Sequence, residues 1–100
     1  MKAFHLPTFK VEGKFPLGVV ILGSDAADVL LTKDVNAALK RHAQGDWGAI
    51  TREERKRNEQ ELARANGNLR SAHRDGNGIG FHVTTIRTMY VTFVSLADER

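Results

Sequence analysis

The chain contains no cysteine, only two prolines and a single tryptophan among its 100 residues. Without thiols there are no disulfides, thiolate metal sites or cysteine nucleophiles, so packing must hold the core. No stretch of low complexity reads as a linker or tail. With 41% apolar residues, the length suits one domain, residues 1–100, around one core. No apolar run could span a bilayer; "LGVVILG" at 17–23 has the length of a strand. The opening MKAFHLPTFKVEGK lacks the apolar centre of a signal peptide, so a cytoplasmic location without membrane contact is expected. Charge of one sign is scarce as well: 15 bases stand among 12 acids, a net +3. Attraction to an anionic surface is therefore modest.

What is present reads as alternating blocks. "FHLPTFKV" and "FPLGVVIL" are β-like runs within residues 4–22, with Pro7 and Pro16 suited to a strand edge or start. Ser24 or Asp25 can cap a short helix to about Leu31. Thr32 can cap a second, over about 33–44, in which Val35, Ala38, Leu39 and His42 recur at helical spacing. Gly45 then acts as a left-handed stop. Thr51-Arg52-Glu53-Glu54 is a capping box that opens a third helix, 52–65, closed by Asn66-Gly67. Its narrow apolar face holds Leu62, Ala65 and, between them, Asn58.

From Asn68 the period changes to two. "LRSAHRDGNGIGFHVTTI" is two strands around Asn77-Gly78, and "MYVTFVSL" a third. The order β(β)-α-α-α-β-β-β implies an α+β fold: an antiparallel sheet with two or three helices packed on one face.

Sites for chemistry are few. Arg52, Arg55, Lys56, Arg57 and Arg64 would suit phosphate, but Glu53, Glu54, Glu59 and Glu61 share their turns, which favours a solvated, salt-bridged face. Glu53–Arg57 and Arg57–Glu61 have the spacing of intrahelical pairs. If Asn77-Gly78 forms a two-residue turn, His73 faces His82 across the hairpin, where both could share a proton or a metal; no third ligand accompanies them. Ser24, Ser71 and Ser95 sit in no nucleophile elbow, and the glycines at 76, 78 and 80 lie in a hairpin rather than a strand-to-helix turn. No catalytic residue, cofactor or metal is expected.

Gly45-Asp46-Trp47-Gly48 joins two helices. Its glycines allow a sharp reversal, Asp46 can accept backbone amides within it, and a lone tryptophan in a small domain most often anchors packing. Gly45, Asp46, Trp47, Gly48 and Asn58 thus read as a structural clasp, with the loop backbone as the expected partner of Asn58.

"RHAQGDWG", Asn58, Leu62, "LRSAH" and the Asp75-Gly76 turn together resemble a family of small bacterial proteins carried on plasmids and integrated elements, some labelled as related to type I restriction. The likeness covers about residues 15–99. It departs at His73, where an aromatic is common, and in the final strand. It carries no catalytic residues and implies a genomic setting, the accessory cargo of mobile elements.

The leading expectation is a non-catalytic binding protein acting on a host protein or nucleoprotein complex, such as an anti-CRISPR or anti-restriction inhibitor. Trp47, Arg52, Arg55, Lys56, Arg74, Arg87 and Tyr90 are its candidate contact residues. The alternatives are a small basic nucleic-acid-binding module, or an endoribonuclease toxin resembling the RelE/ParE fold, with Arg74, His82, Arg87 and Tyr90 as its residues to test. Because "MYVTFVSL" is apolar on both faces, it is expected to be central in the sheet or covered by another subunit, which makes a homodimer a further expectation.

Overall fold

The computed structural model describes residues 3–5, 13–64 and 67–97, the first three by their backbone. Its elements follow the expected order: β1 (Ala3–His5), β2 (Val19–Gly23), α1 (Ser24–Val29), α2 (Thr32–Ala43), α3 (Arg52–Leu62), β3 (Leu69–Arg74), β4 (Gly80–Ile86) and β5 (Val91–Leu96). A 3-10 turn, Arg87–Met89, joins β4 to β5. Residues 6–11 of the first expected β run, Glu12 after it, and Ala65-Asn66 at the expected end of α3 lie outside the described residues.

The strands form one five-stranded sheet in the order β1-β2-β5-β4-β3. It is α+β as expected but mixed rather than wholly antiparallel, because β2 and β5 run parallel. The reason is topological. The chain leaves β2, passes through three helices and the β3–β4 hairpin, and comes back beside β2 in the same direction, as a long crossover permits and a tight turn does not. β5 is therefore a central strand.

β2 begins later than the run 15–22 suggests. Pro16 has no N–H to give a ladder, and Gly18 is left-handed (φ 69°) with its Cα against the Tyr90 carbonyl, where a Cβ would not fit. Phe15 and Leu17 are still buried, as loop residues rather than strand residues.

Alternation divides the sheet into two unlike faces. Val20, Leu22, Leu69, Phe81, Val83 and Val94 point to one, where Ala26 and Leu30 near α1 and Val35, Ala38, Leu39 and Ala43 of α2 complete the core. α3 instead lies along β3. Its start is the expected capping box in part: Thr51 Oγ1 accepts the Glu54 amide at 3.1 Å, and the Glu54 carboxylate takes the Thr51 hydroxyl at 3.4 Å rather than its amide. α2 ends in a Schellman motif. The Asp46 amide donates to the Arg41 carbonyl and the Gly45 amide to that of His42, with Gly45 at φ 82°.

Candidate functional site: a clasped edge, a buried polar chain and an open sheet face

β3 is an edge strand, and its outward backbone groups need partners. The Gly45–Gly48 loop supplies one pair: the Ala72 amide donates to the Trp47 carbonyl (3.1 Å) and the Ala49 amide to the Ala72 carbonyl (2.9 Å). Gly48 permits this approach, being left-handed (φ 68°) and so near the Ala72 carbonyl that no Cβ would fit. Asn58 supplies the other pair, and its partner is β3 rather than the expected loop. Its Nδ2 donates to the Arg70 carbonyl (2.6 Å), and its Oδ1 accepts the Arg70 amide (3.4 Å).

Trp47 lies inside this clasp. It is 0% exposed, stacks on Phe15, meets His42 edge-on and donates from Nε1 to Glu59 Oε1 (2.9 Å). It therefore offers no surface to a partner, which removes it from the exposed anchors expected above. Asp46 closes the turn with Arg41 (2.8 Å) and the Gly48 amide (3.2 Å); the Arg41 guanidinium holds its carboxyl below the usual carboxylate range.

The His73–His82 pairing does not form. His73 pairs with Phe81, and His82 with Ala72. The Gly78 amide donates to the Asp75 carbonyl, the Asp75 amide to Ile79, and Gly78 is left-handed (φ 79°). This is a type I turn followed by a glycine bulge, not the two-residue turn that Asn77-Gly78 suggests. Asp75 Oδ1 favours it by accepting the Asn77 and Ile79 amides (both 2.9 Å). One extra loop residue shifts the register by one, and the two histidines fall on opposite faces.

His73 thereby joins a buried polar chain. Its Nε2 lies 2.7 Å from Ser71 Oγ, which is 2.6 Å from His42 Nδ1. His42 Nε2 is 2.9 Å from Thr85 Oγ1, itself 2.7 Å from Thr92 Oγ1, which donates to the Leu17 carbonyl (2.7 Å). A carbonyl can only accept, so this end fixes the protons as far as His42 Nε2, and a neutral His42 fixes the rest. Thr92 donates to Leu17, Thr85 to Thr92, and His42 Nε2–H to Thr85. Ser71 then donates to His42 Nδ1, and His73 Nε2–H to Ser71. Both imidazoles are neutral in this scheme. Burial pushes the pKa of His42 down to about 3 and that of His73 to about 4. Ser71 is fully buried and its proton is committed, so the chain is structural rather than nucleophilic.

The candidate cations disperse. Arg87, expected at a contact surface, lies half-buried under α3: its Nη1 donates to the Arg64 carbonyl (2.7 Å) and approaches those of Glu61 and Leu62, while its guanidinium sits 5.9 Å from the Phe15 ring centre. It caps a helix C-terminus. Arg74 is exposed at the hairpin end and donates to the Gly78 carbonyl (3.1 Å). β4 separates Arg74 from Arg87 and Tyr90 by about 20 Å along its length, so Arg74, His82, Arg87 and Tyr90 do not converge. Arg52, Arg55 and Lys56 are exposed on α3, off the sheet. Neither Glu53–Arg57 nor Arg57–Glu61 pairs; among the described residues the ion pairs are Arg41–Asp46 and Glu61–Arg64 (4.0 Å). No group of three metal-binding side chains occurs among those residues, and no helix there is long and apolar enough to cross a membrane.

The remaining feature is the sheet's second face. Val19 (47% exposed), Ile21, Val91, Phe93 (37%) and Ile86 lie together there, with Thr84, Ser95, His82, Arg70 and Arg74 to one side. Met89 and Tyr90, 63% and 66% exposed, stand at the end where β4 turns into β5. Tyr90 is left-handed (φ 53°, ψ 46°), a conformation that costs a non-glycine residue roughly 1 kcal/mol. The spacing of "MYVTFVSL" points to this second apolar face, whereas nothing local in the sequence marks Val19 and Ile21 as sharing it.

No protein-family model matches the chain, and no curated protein or solved structure is significantly similar to it.

Proposed function

We propose that this is a non-catalytic binding protein that acts on a host protein, alone or within a nucleoprotein complex, through the open face of its sheet. The observation that carries the reading is the cluster Val19, Ile21, Val91, Phe93 and Ile86 on the sheet face opposite the core: among the described residues Val19 and Phe93 are exposed, the other three are half-buried, and exposed Met89 and Tyr90 flank them. Full burial of such a side chain is worth about 1.5–3 kcal/mol, so covering several of them yields affinity that surface ion pairs do not. Tyr90 adds a strained, outward aromatic, the kind of side chain that dominates protein interfaces.

Charge favours a protein over nucleic acid. Among the described residues the face carries Arg70, Arg74 and His82, about three phosphate contacts, fewer than the roughly 6–10 that give a steeply salt-dependent nucleic-acid affinity. The target this proposal names is a cytoplasmic host-defence assembly, such as a restriction or CRISPR complex. The test is a tagged pull-down from bacterial lysate with and without nuclease, comparing wild type with Phe93→Glu. A stoichiometric protein that survives nuclease and is lost with Phe93→Glu supports the reading. Partners that vanish with nuclease and are retained equally by Phe93→Glu contradict it.

A further inference from the structure

We propose that the open face receives an acidic amphipathic helix of a partner protein, laid along β5 with its apolar ridge on Phe93 and Ile86 and a carboxylate-bearing flank toward Arg70 and Arg74. The inference rests on the reading of this face as the contact surface, and adds what the partner must look like.

The helix follows from backbone chemistry. A sheet face offers side chains only, since its N–H and C=O groups lie in the plane of the sheet. An extended segment laid there would leave its own backbone groups without partners, whereas a helix satisfies its own. Adding a strand at β3 is blocked, because Asn58 and residues 47–49 already occupy that edge. Six residues of β5 span about 20 Å, the length of a helix of three to four turns.

The acidic flank follows from what the strands contain. β2, β3, β4 and β5 include no aspartate or glutamate. Arg70 Nη2 lies 3.2 Å from both ring nitrogens of His82, and Arg74 meets a carbonyl. Among the described residues neither guanidinium has a carboxylate partner. Glu54 of α3 acts on His82 from the flank, but burial and Arg70 outweigh it and the imidazole pKa is lowered. Arg70 and Arg74 are four residues apart, about 13 Å, so matching carboxylates would stand two to three turns apart on the partner helix. A second copy of this chain complements the face poorly, since the four described strands that would meet it bring arginines and no carboxylate.

The test uses the whole protein and two synthetic peptides of about 14 residues with the same leucine ridge, one flanked by glutamate and one by lysine. Backbone amide NMR shifts locate binding, and anisotropy titration measures it. The glutamate peptide should shift Ile21, Thr84, Phe93 and Ser95 and bind at least about tenfold tighter than the lysine peptide. Arg70→Glu with Arg74→Glu should reverse that preference; both sites are exposed, and an unchanged melting curve shows that the fold is kept. Shifts on this face without a flank preference overturn the acidic-helix inference and leave the contact surface standing. No shifts on the face with either peptide overturn both. Preferential binding of oligothymidine, or concentration-dependent broadening at Phe93 in the protein alone, gives the site to nucleic acid or to a second copy and sinks the inference.

Discussion

Asn58 holds the backbone of Arg70 by both ends of its side-chain amide, donating to the carbonyl at 2.6 Å and accepting the N–H at 3.4 Å. A side chain of one helix thus substitutes for a missing strand. Asn58→Ala leaves a donor and an acceptor unsatisfied at a largely buried place, and we expect a loss of about 2–4 kcal/mol in urea unfolding. A loss below about 0.5 kcal/mol would mean that water replaces the amide.

The two loop glycines separate strain from collision. Both are left-handed, but a Cβ at Gly45 meets only the flexible end of Lys14 (3.2 Å), whereas at Gly48 it meets the Ala72 backbone. Gly45→Ala should cost about 1 kcal/mol, and Gly48→Ala at least about 2 kcal/mol more, with loss of the Ala72 amide protection in hydrogen exchange. Equal costs would show that the loop shifts freely against β3.

Much of this local structure was legible beforehand. Thr51 with Glu54, and Gly45 after an amphipathic run, announce helix ends because caps are local chemistry. The hairpin at Asn77-Gly78 was legible in place but not in register, since Asn-Gly alone does not distinguish a two-residue turn from a bulged three-residue one. The parallel β2–β5 pair depends on how the whole chain returns. So does the buried chain: Ser71, Thr85 and Thr92 look like ordinary strand hydroxyls until tertiary packing brings them to His42. The open face was half legible, because "VTFVSL" shows two apolar faces but not which one the helices leave bare.

Acid should unfold the protein through its buried imidazoles. In the native state burial pushes the imidazoles of His42 and His73 down to about 3 and about 4, from the ordinary 6.5 of a solvated imidazole. The unfolded chain therefore binds more protons below about pH 6.5, and native stability falls as pH drops from there toward 4 and 3. Each histidine contributes a slope of at most about 1.4 kcal/mol per pH unit, so pH 5 should cost roughly 2–3 kcal/mol relative to pH 8. Long-range ¹H–¹⁵N NMR at pH 7 should show the Nε2–H tautomer for both. An Nδ1–H tautomer of His42 would contradict the proton order running from Leu17.

Thr84 and Thr85 are neighbours on opposite faces of β4. Thr85→Val removes a link from the chain and strands the His42 Nε2–H, at a cost of about 1–3 kcal/mol. Thr84→Val, facing outward, should stay within about 0.5 kcal/mol. Comparable thermal shifts for the two would mean that the chain confers no stability.

The central claim, that the open sheet face is where a partner docks, is tested most directly by photocrosslinking in living bacteria. Benzoylphenylalanine replaces Phe93 in one variant and Gln60, exposed on α3, in another. The account expects a discrete, nuclease-resistant protein adduct from position 93 and none from position 60. An adduct from position 60 alone would contradict it and move the contact surface to the charged helix.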